Sequence, residues 1–212
     1  MMKKPSQLVF FAIFSASFAP AAVVVTDNGS TAPTIGAGDT GYTGATNNRW
    51  GWDSGEGFTQ SFTVSASGIV QSIFVGYNAF DDGETITLDL AVNGSPVETG
   101  IVLNGDNFSG SSVTDNNFGE FYWMEFDLSS EGVPVTAGLN NFTLTATADT
   151  GTSWALAPRY TDNAGAYPDG ALSLDFAPVS GDIAFAVTVV PEPSGLILVG
   201  LGAMGCMLRR RR

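Results

Sequence analysis

Histidine is absent from this chain of 212 residues, and Cys206, close to the C-terminus, is its only cysteine. Imidazole and thiolate groups supply the usual zinc sites, haem ligation by histidine, and the Cys-His and Ser-His-Asp nucleophile systems. A lone cysteine also leaves no partner for an internal disulfide. These absences exclude a large share of enzyme chemistry, and we therefore expect a protein with no catalytic role.

Basic residues are scarce between the two ends of the chain. Lys3 and Lys4 lie near the N-terminus and four arginines occupy residues 209–212, so only Arg49 and Arg159 remain against 21 acidic residues, a net charge of −19. Such a surface repels nucleic acid and anionic lipid, and it favours cations, neutral glycans or simple solubility. The plainest interpretation is the solvated acidic exterior of a secreted protein.

The first 22 residues have the composition of a secretory signal peptide. A positively charged start precedes an apolar stretch over residues 8–18, and small residues follow it. We expect cleavage after Ala21 or Ala22. Ala19 stays open as an alternative, because a neighbouring proline disturbs the usual small-x-small pattern.

Residues 190–212, VPEPSGLILVGLGAMGCMLRRRR, form the most distinctive segment. Two prolines fix φ and remove two backbone donors, so they should end the preceding strand and hold the link extended. As a helix, the apolar residues 195–208 would span about 21 Å, short of the roughly 30 Å hydrocarbon core of a bilayer. The terminal cationic block would stay on the cytoplasmic side. The order predicts an export-coupled segment that inserts only transiently in the inner membrane.

This C-terminal arrangement closely resembles the PEP-CTERM sorting signal of Gram-negative bacteria. The resemblance implies recognition by an exosortase, cleavage near the Pro-Glu-Pro triplet, export across the inner membrane, and delivery to the cell surface or extracellular matrix. An ordinary C-terminal membrane anchor is the alternative. The sorting residues that it implies are Pro191, Glu192, Pro193, Arg209, Arg210, Arg211 and Arg212.

The intervening residues 23–189 are long enough for one domain with a proper core. Apolar and polar residues alternate over residues 85–92 and 141–148, which predicts half-buried antiparallel strands. Further strands are expected at residues 58–64, 69–77, 121–128, 171–176 and 183–190, with weaker candidates at 23–26, 101–103 and 154–157. Segments rich in Gly, Asn and Asp separate them. The pattern predicts an all-β antiparallel sandwich, with a jelly roll as the first topology.

The strand rhythm of this domain resembles the β-rich "choice-of-anchor" exported domains. The stretches that carry the likeness are FTQSFTV, GVPVTAGLNNFTLTA and GDIAFAVTVVPEP, the last with Gly181 and Asp182 at a turn before a final apolar strand. The resemblance implies location and fold, and no defined activity.

Loop aromatics are candidate binding residues for an exopolysaccharide. Flat aromatic rings contact the C–H faces of sugars, while nearby polar groups bind the hydroxyls. A Trp is also a frequent contributor to core packing, so both interpretations stay open. The candidate sugar-binding residues are Trp50, Trp52, Trp154, Arg159 and Tyr160.

Oxygen-rich turns are candidates for one structural Ca²⁺. Calcium takes six to eight oxygen ligands, which closely spaced carboxylates and carbonyls supply. The same residues are common turn formers, which is the simpler explanation. The candidate ligands are Asp81, Asp82, Glu84, Asp162 and Asp169.

A pair of acids for glycoside hydrolysis is the least favoured possibility. Glu120 and Glu125 flank an aromatic run, but five positions along a strand would direct them to opposite faces. The sequence therefore predicts a surface-anchored or released non-catalytic sandwich with a structural or adhesive role in the extracellular matrix or a biofilm. A carbohydrate-binding module is the alternative, and a glycan-active enzyme is third.

Overall fold

A computed structural model describes residues 22–44, 46, 48–51, 53–80, 83–109, 122–150, 156–163, 166–168 and 170–192. The predicted leader, apart from Ala22, and the predicted C-terminal helix lie outside these ranges. One 3₁₀ helix spans Gly105–Asn107. The strands are β1 Val24–Asp27, β2 Thr40–Tyr42, β3 Asn48–Arg49, β4 Gly57–Val64, β5 Gly68–Phe80, β6 Thr85–Val92, β7 Ser95–Asn104, β8 Tyr122–Asp127, β9 Pro134–Val135, β10 Gly138–Asp149, β11 Leu156–Thr161, β12 Leu172–Leu174, β13 Ala177–Val179, β14 Asp182–Ile183 and β15 Phe185–Pro191.

The strands form two sheets. The six-stranded sheet has the order β13-β12-β4-β10-β6-β7. The nine-stranded sheet has the path β1-β8-β5-β11-β14, with β15 and β9 also on β5, β2 on β15 and β3 on β11. The pairings of both sheets are antiparallel. The prediction of an all-β antiparallel sandwich is confirmed, and the jelly roll stays a prediction.

The core lies between the two sheets and is built from the inward residues of the alternating strands. Phe142 on β10 packs edge-on against Phe58 of its own sheet, with ring centroids 5.9 Å apart. It also meets Phe185 of the nine-stranded sheet at 5.8 Å. Burying one such side chain stabilises the fold by about 1.5–3 kcal/mol. Phe142 therefore links the two layers.

The predicted strand boundaries are best where alternation is clean. The prediction for residues 85–92 coincides with β6, and an Asn93-Gly94 turn follows with φ of 51° and 73°, as a tight hairpin requires. The prediction for residues 101–103 was too short, because β7 begins at Ser95. This edge strand exposes most of its first half, so it shows no alternation there.

The face of the nine-stranded sheet away from the main core also holds a buried side chain. Trp123 on β8 alternates with the core-facing Met124, yet it is only 1% exposed. Its backbone exchanges hydrogen bonds with Asn28 and Gly29, at 2.8 and 2.9 Å, and these bonds continue the β1–β8 pairing beyond Asp27. Within the described ranges, no helix is long and apolar enough to cross a membrane.

Candidate functional site

The Pro-Glu-Pro triplet begins at the end of β15. This strand pairs with β5 down to Pro191 opposite Gly68, and the N–H of Glu192 then donates to the carbonyl of Ser67 at 3.1 Å. The two strands approach closely, since a Cβ on Gly68 would lie 2.5 Å from the carbonyl oxygen of Val190. The strand ends at Pro191, as its ring requires. Pro193 and the four terminal arginines lie outside the described residues.

The strand that leads into the triplet is held on both sides. β5 pairs along its length, and β2 pairs with its first part from Phe185 to Val187. Further along, the N–H of Val189 donates to Oδ1 of Asp39 at 3.0 Å, and the other carboxylate oxygen of Asp39 accepts from Gly36 N–H at 3.0 Å. The triplet therefore leaves the folded domain from a fixed point.

A buried polar bridge joins the sheets just before this strand. Asp182 on β14 is 1% exposed. Its Oδ1 accepts from Nε2 of Gln60 on β4 at 3.0 Å, and its Oδ2 accepts from the N–H of Tyr167 at 2.9 Å. Oε1 of Gln60 accepts in turn from the N–H of Ile183 at 3.0 Å. The carboxylate of the predicted Gly-Asp turn thus fixes β14 to the opposite sheet.

Sequence reasoning missed Gln60, although a signal for it exists. Gln60 occupies the inward position between Phe58 and Phe62, where alternation requires an apolar side chain. A fully buried amide at such a position needs hydrogen-bond partners. A polar residue that interrupts an otherwise apolar face therefore points to a buried network.

The described sugar-binding candidates are engaged in the fold. Arg159 is fully buried, and its Nε and Nη2 donate to the hydroxyl and carbonyl oxygens of Thr46 at 2.9 and 3.0 Å. Trp50 and Tyr160 are half-buried and pack against the core. Trp52 and Trp154 lie outside the described residues. Arg159 and Tyr160 are successive residues of β11 and so face opposite sides of the sheet.

A groove lies on the outer face of the nine-stranded sheet, which is the face away from the core. Its volume is about 380 Å³. Glu125 on β8 lies at its base, with Oε1 accepting from Ser72 Oγ at 2.7 Å and Oε2 accepting from Asn28 Nδ2 at 2.9 Å. Phe74 on β5 is half-buried beside it. The lining residues are Asn28, Thr31, Ala32, Pro33, Thr34, Phe74, Glu125 and Thr188.

This outer-face groove places an aromatic ring, a fixed carboxylate and three threonines in one open channel. Glu125 is one of the two acids considered for glycoside hydrolysis, and the other, Glu120, lies outside the described residues. Because hydrogen bonds orient both carboxylate oxygens of Glu125, its remaining lone pairs have fixed directions. The arrangement is suited to accepting hydrogen bonds from a hydroxylated ligand.

A second carboxylate is held at the start of the domain. Oδ1 of Asp27 accepts from Gly29 N–H at 2.9 Å and from Tyr77 Oη at 3.0 Å, and Oδ2 accepts from Ser109 N–H at 2.8 Å. Burial alone would raise the pKa of Asp27, but these hydrogen bonds and one from the Ser109 hydroxyl outweigh it and lower the pKa. Burial, followed by the nearby charge of Asp27, raises the pKa of Tyr77 above its ordinary value. The pair fastens β1 to β5.

The calcium candidates are only partly described. Glu84 is half-buried and Asp162 is exposed, whereas Asp81, Asp82 and Asp169 lie outside the described ranges. In the part of the chain that the structure describes, no group of three or more carboxylates lies close enough together to hold a metal ion. The predicted Ca²⁺ site stays a prediction.

Comparison with protein families identifies the C-terminal segment. Residues 189–212 match the model described as the PEP-CTERM protein-sorting motif. No curated protein matches the chain. The chain therefore carries this sorting motif at its C-terminus, which supports an exported protein of the cell envelope that an exosortase processes.

Proposed function

We propose that the sandwich is a non-catalytic structural or adhesive component of the extracellular matrix of a Gram-negative bacterium. The observation that carries the proposal is the continuity of the sorting motif with the fold. The motif covers residues 189–212, and its first three residues belong to β15. The domain is therefore the cargo attached directly to the signal, and its acidic surface suits a protein that stays soluble outside the cell.

The partners of this function are the export machinery and an exosortase. Pro191, Glu192 and Pro193 serve as recognition residues, while residues 195–208 insert transiently in the inner membrane and the terminal arginines stop their transfer. Glu192 supports this role because it is exposed and directly follows the last strand. Processing then leaves the domain on the cell surface or in the matrix.

Intact mass tests the proposal. Protein recovered from outside native cells should lack the mass C-terminal to the triplet, whereas protein from a host without an exosortase should keep it. Glu192→Gln tests the triplet, and Glu131→Gln is a control at a half-buried carboxylate in another loop. Retention of residues 209–212 in both hosts would show instead a plain membrane anchor. Recovery of the processed domain free in the medium, with none in isolated matrix, would contradict the matrix role.

Binding of a neutral glycan is a second candidate function, supported by the outer-face groove. The ring of Phe74 offers an apolar surface to the C–H groups of a pyranose, and Glu125 offers an oriented acceptor for its hydroxyls. The threonine hydroxyls and Asn28 can complete the hydrogen bonding. A few placed polar groups beside an aromatic surface are typical of small-ligand sites. The strongly acidic domain favours a neutral glycan over an anionic one.

Retention on columns of immobilised neutral polysaccharide distinguishes the possible sites. Loss of retention in Phe74→Ala and Glu125→Gln, with Trp50→Ala unchanged, would support the groove. The opposite result would support the loop aromatics that the sequence suggests. Retention unaffected by all three variants would remove both sites. Turnover of a glycan that Glu120→Gln abolishes would contradict the non-catalytic role.

A further inference from the structure

The described chain begins beside the end strands of both sheets. β1 is the outermost strand of one end of the nine-stranded sheet, and β7 is the edge of the six-stranded sheet. Val23, directly before β1, is 8% exposed and belongs to the core. Its backbone nitrogen lies 3.4 Å from Oε2 of Glu98 on β7. This contact bridges the two edges.

The bridge is long for a peptide hydrogen bond, for which about 2.7–3.2 Å is usual. A cavity of about 290 Å³ adjoins it, lined by Ala22, Val23, Glu98 and Thr99 among others. The other oxygen of Glu98 accepts from Thr99 N–H at 3.2 Å, so Oε2 is the oxygen that faces the chain start. The site has room for a group larger than one N–H.

Signal-peptide cleavage would place such a group there. Hydrolysis of the peptide bond after Ala21 or Ala22 adds water across it, leaving a carboxyl group on the leader and an amine on the domain. At neutral pH most of that amine is protonated, since α-amines have pKa values of about 7.7–8.0. Adjacent residues are about 3.8 Å apart, so either cut leaves the ammonium within reach of Glu98. A donor with one N–H thus becomes a cation with several.

We propose that Glu98 binds the N-terminal α-ammonium that cleavage creates, and that this ion pair closes the edge of the sandwich in the mature protein. The site takes a primary ammonium group supplied by the chain itself. The unprocessed precursor offers only the weaker peptide N–H. Processing therefore completes the fold.

Among the neighbouring carboxylates, Glu98 is the one placed to pair with the ammonium. Asp27 also lines the cavity, but its oxygens already accept from Gly29, Ser109 and Tyr77. On the strand beside β7, Asp89 accepts from the backbone N–H of Gly100 at 2.9 Å. The ammonium would therefore meet one carboxylate with an oxygen directed towards it.

The composition makes this site unusually easy to probe. Both lysines of the chain, Lys3 and Lys4, lie in the predicted leader. The mature protein consequently has a single primary amine, its own N-terminus, whether or not the tail is removed. Amine-directed acylation then modifies this one position, and the remaining cations of residues 23–189 are Arg49 and Arg159.

The test uses mature protein recovered from outside native cells, with its first residue assigned by intact mass. Half of the sample is acetylated, and urea unfolding is measured with and without Glu98→Gln. In the free-amine protein, Glu98→Gln should raise the unfolding equilibrium constant about threefold, and in the acetylated protein it should have little effect. Glu131→Gln is the control and should not distinguish the two forms. An equal effect of Glu98→Gln on both forms would overturn the proposal.

A second measurement does not depend on stability. Because the ion pair holds the amine protonated, a limiting acylating reagent should label the folded protein at least about threefold more slowly than the same protein in urea. Glu98→Gln should remove most of this protection, whereas Glu131→Gln should not. Equal labelling rates in the folded and unfolded protein, or a mature chain that begins upstream of Ala22, would refute the site.

Discussion

Replacing Asp182 with asparagine tests the bridge between the sheets. Both carboxylate oxygens of Asp182 accept hydrogen bonds, one from Gln60 Nε2 and one from Tyr167 N–H. An asparagine amide would direct its NH₂ group at one of these two donors. Gln60 cannot turn its own amide over without losing the bond that Oε1 accepts from Ile183 N–H. At least one buried donor is therefore left unsatisfied.

The loss of stability in Asp182→Asn has two sources, the lost hydrogen bond to a charged group and the unsatisfied buried donor. A hydrogen bond to a charged group contributes about 1.5–3 kcal/mol, and an unsatisfied buried donor costs about 1–3 kcal/mol. We expect Asp182→Asn to lower the free energy of unfolding by about 3–5 kcal/mol, which is about 10 °C in Tm for a domain of this size. Urea unfolding and calorimetry measure the two quantities.

A control makes the result specific. Asp175→Asn changes an exposed carboxylate at a turn with φ of 47°, a conformation that asparagine tolerates, and should alter stability by less than about 0.5 kcal/mol. If Asp182→Asn is as stable as Asp175→Asn, the carboxylate does not hold the sheets together.

Three further predictions follow from the described contacts and the oxygen-rich turns. Gly181→Ala should cost about 3 kcal/mol or more in urea unfolding, since φ is 119° and the new Cβ would overlap the carbonyl oxygen of Thr161. Gly55→Ala, with φ of 92° in open space, isolates the conformational cost and should be clearly milder. Burial raises the pKa of Asp27, but hydrogen bonds from Ser109, Gly29 and Tyr77 lower it by more, so the net pKa lies below the ordinary value of 3.8. The stabilisation by Asp27 is therefore complete above the ordinary pKa of 3.8 and is lost as the pH falls below it. Acid unfolding should be less steep in Asp27→Asn, and an unchanged slope would contradict this. If one structural Ca²⁺ is bound, excess chelator should lower Tm, and an unchanged Tm would remove that prediction.

The sequence predicts the sandwich well because burial on one face imposes a period of two. In β6 the buried Ile86, Leu88 and Leu90 alternate with polar residues, and the predicted boundaries coincide with the observed strand. The same rule predicts too short a strand where an edge strand has no buried face, as in the first half of β7. Local composition alone could not show which described strands stand at the ends of the two sheets.

The candidate site was harder to predict because a polar residue does not reveal its own burial. Arg159 lies in β11, which continues past the predicted end at residue 157, and a segment more than 100 residues earlier supplies its partner Thr46. Gln60 likewise depends on Asp182, from the opposite sheet. The sorting motif was predictable because it is read as a linear segment. Networks that join distant strands depend on register, which no single stretch of sequence contains.

The strand registers also bring close together the two ends of the domain, one next to the predicted leader and the other at the sorting motif. β1 begins at Val24, which pairs with Asp127 on β8. Asp127 in turn pairs with Ser72 on β5, so Val24 lies level with Ser72. At the other end of the domain, β15 ends at Pro191, which pairs with Gly68 on β5. Four residues along the sheet and three strand spacings across it place the two ends about 20 Å apart. The 13-residue β5 is about 43 Å long, so both ends lie at the same end of the sheet. With only Glu192 between Pro191 and the second proline, this placement would let the predicted leader and the predicted C-terminal helix occupy one membrane while the sandwich lies on one side of it. An arrangement with the ends at opposite poles would need a long linker, and the sequence around the triplet has none.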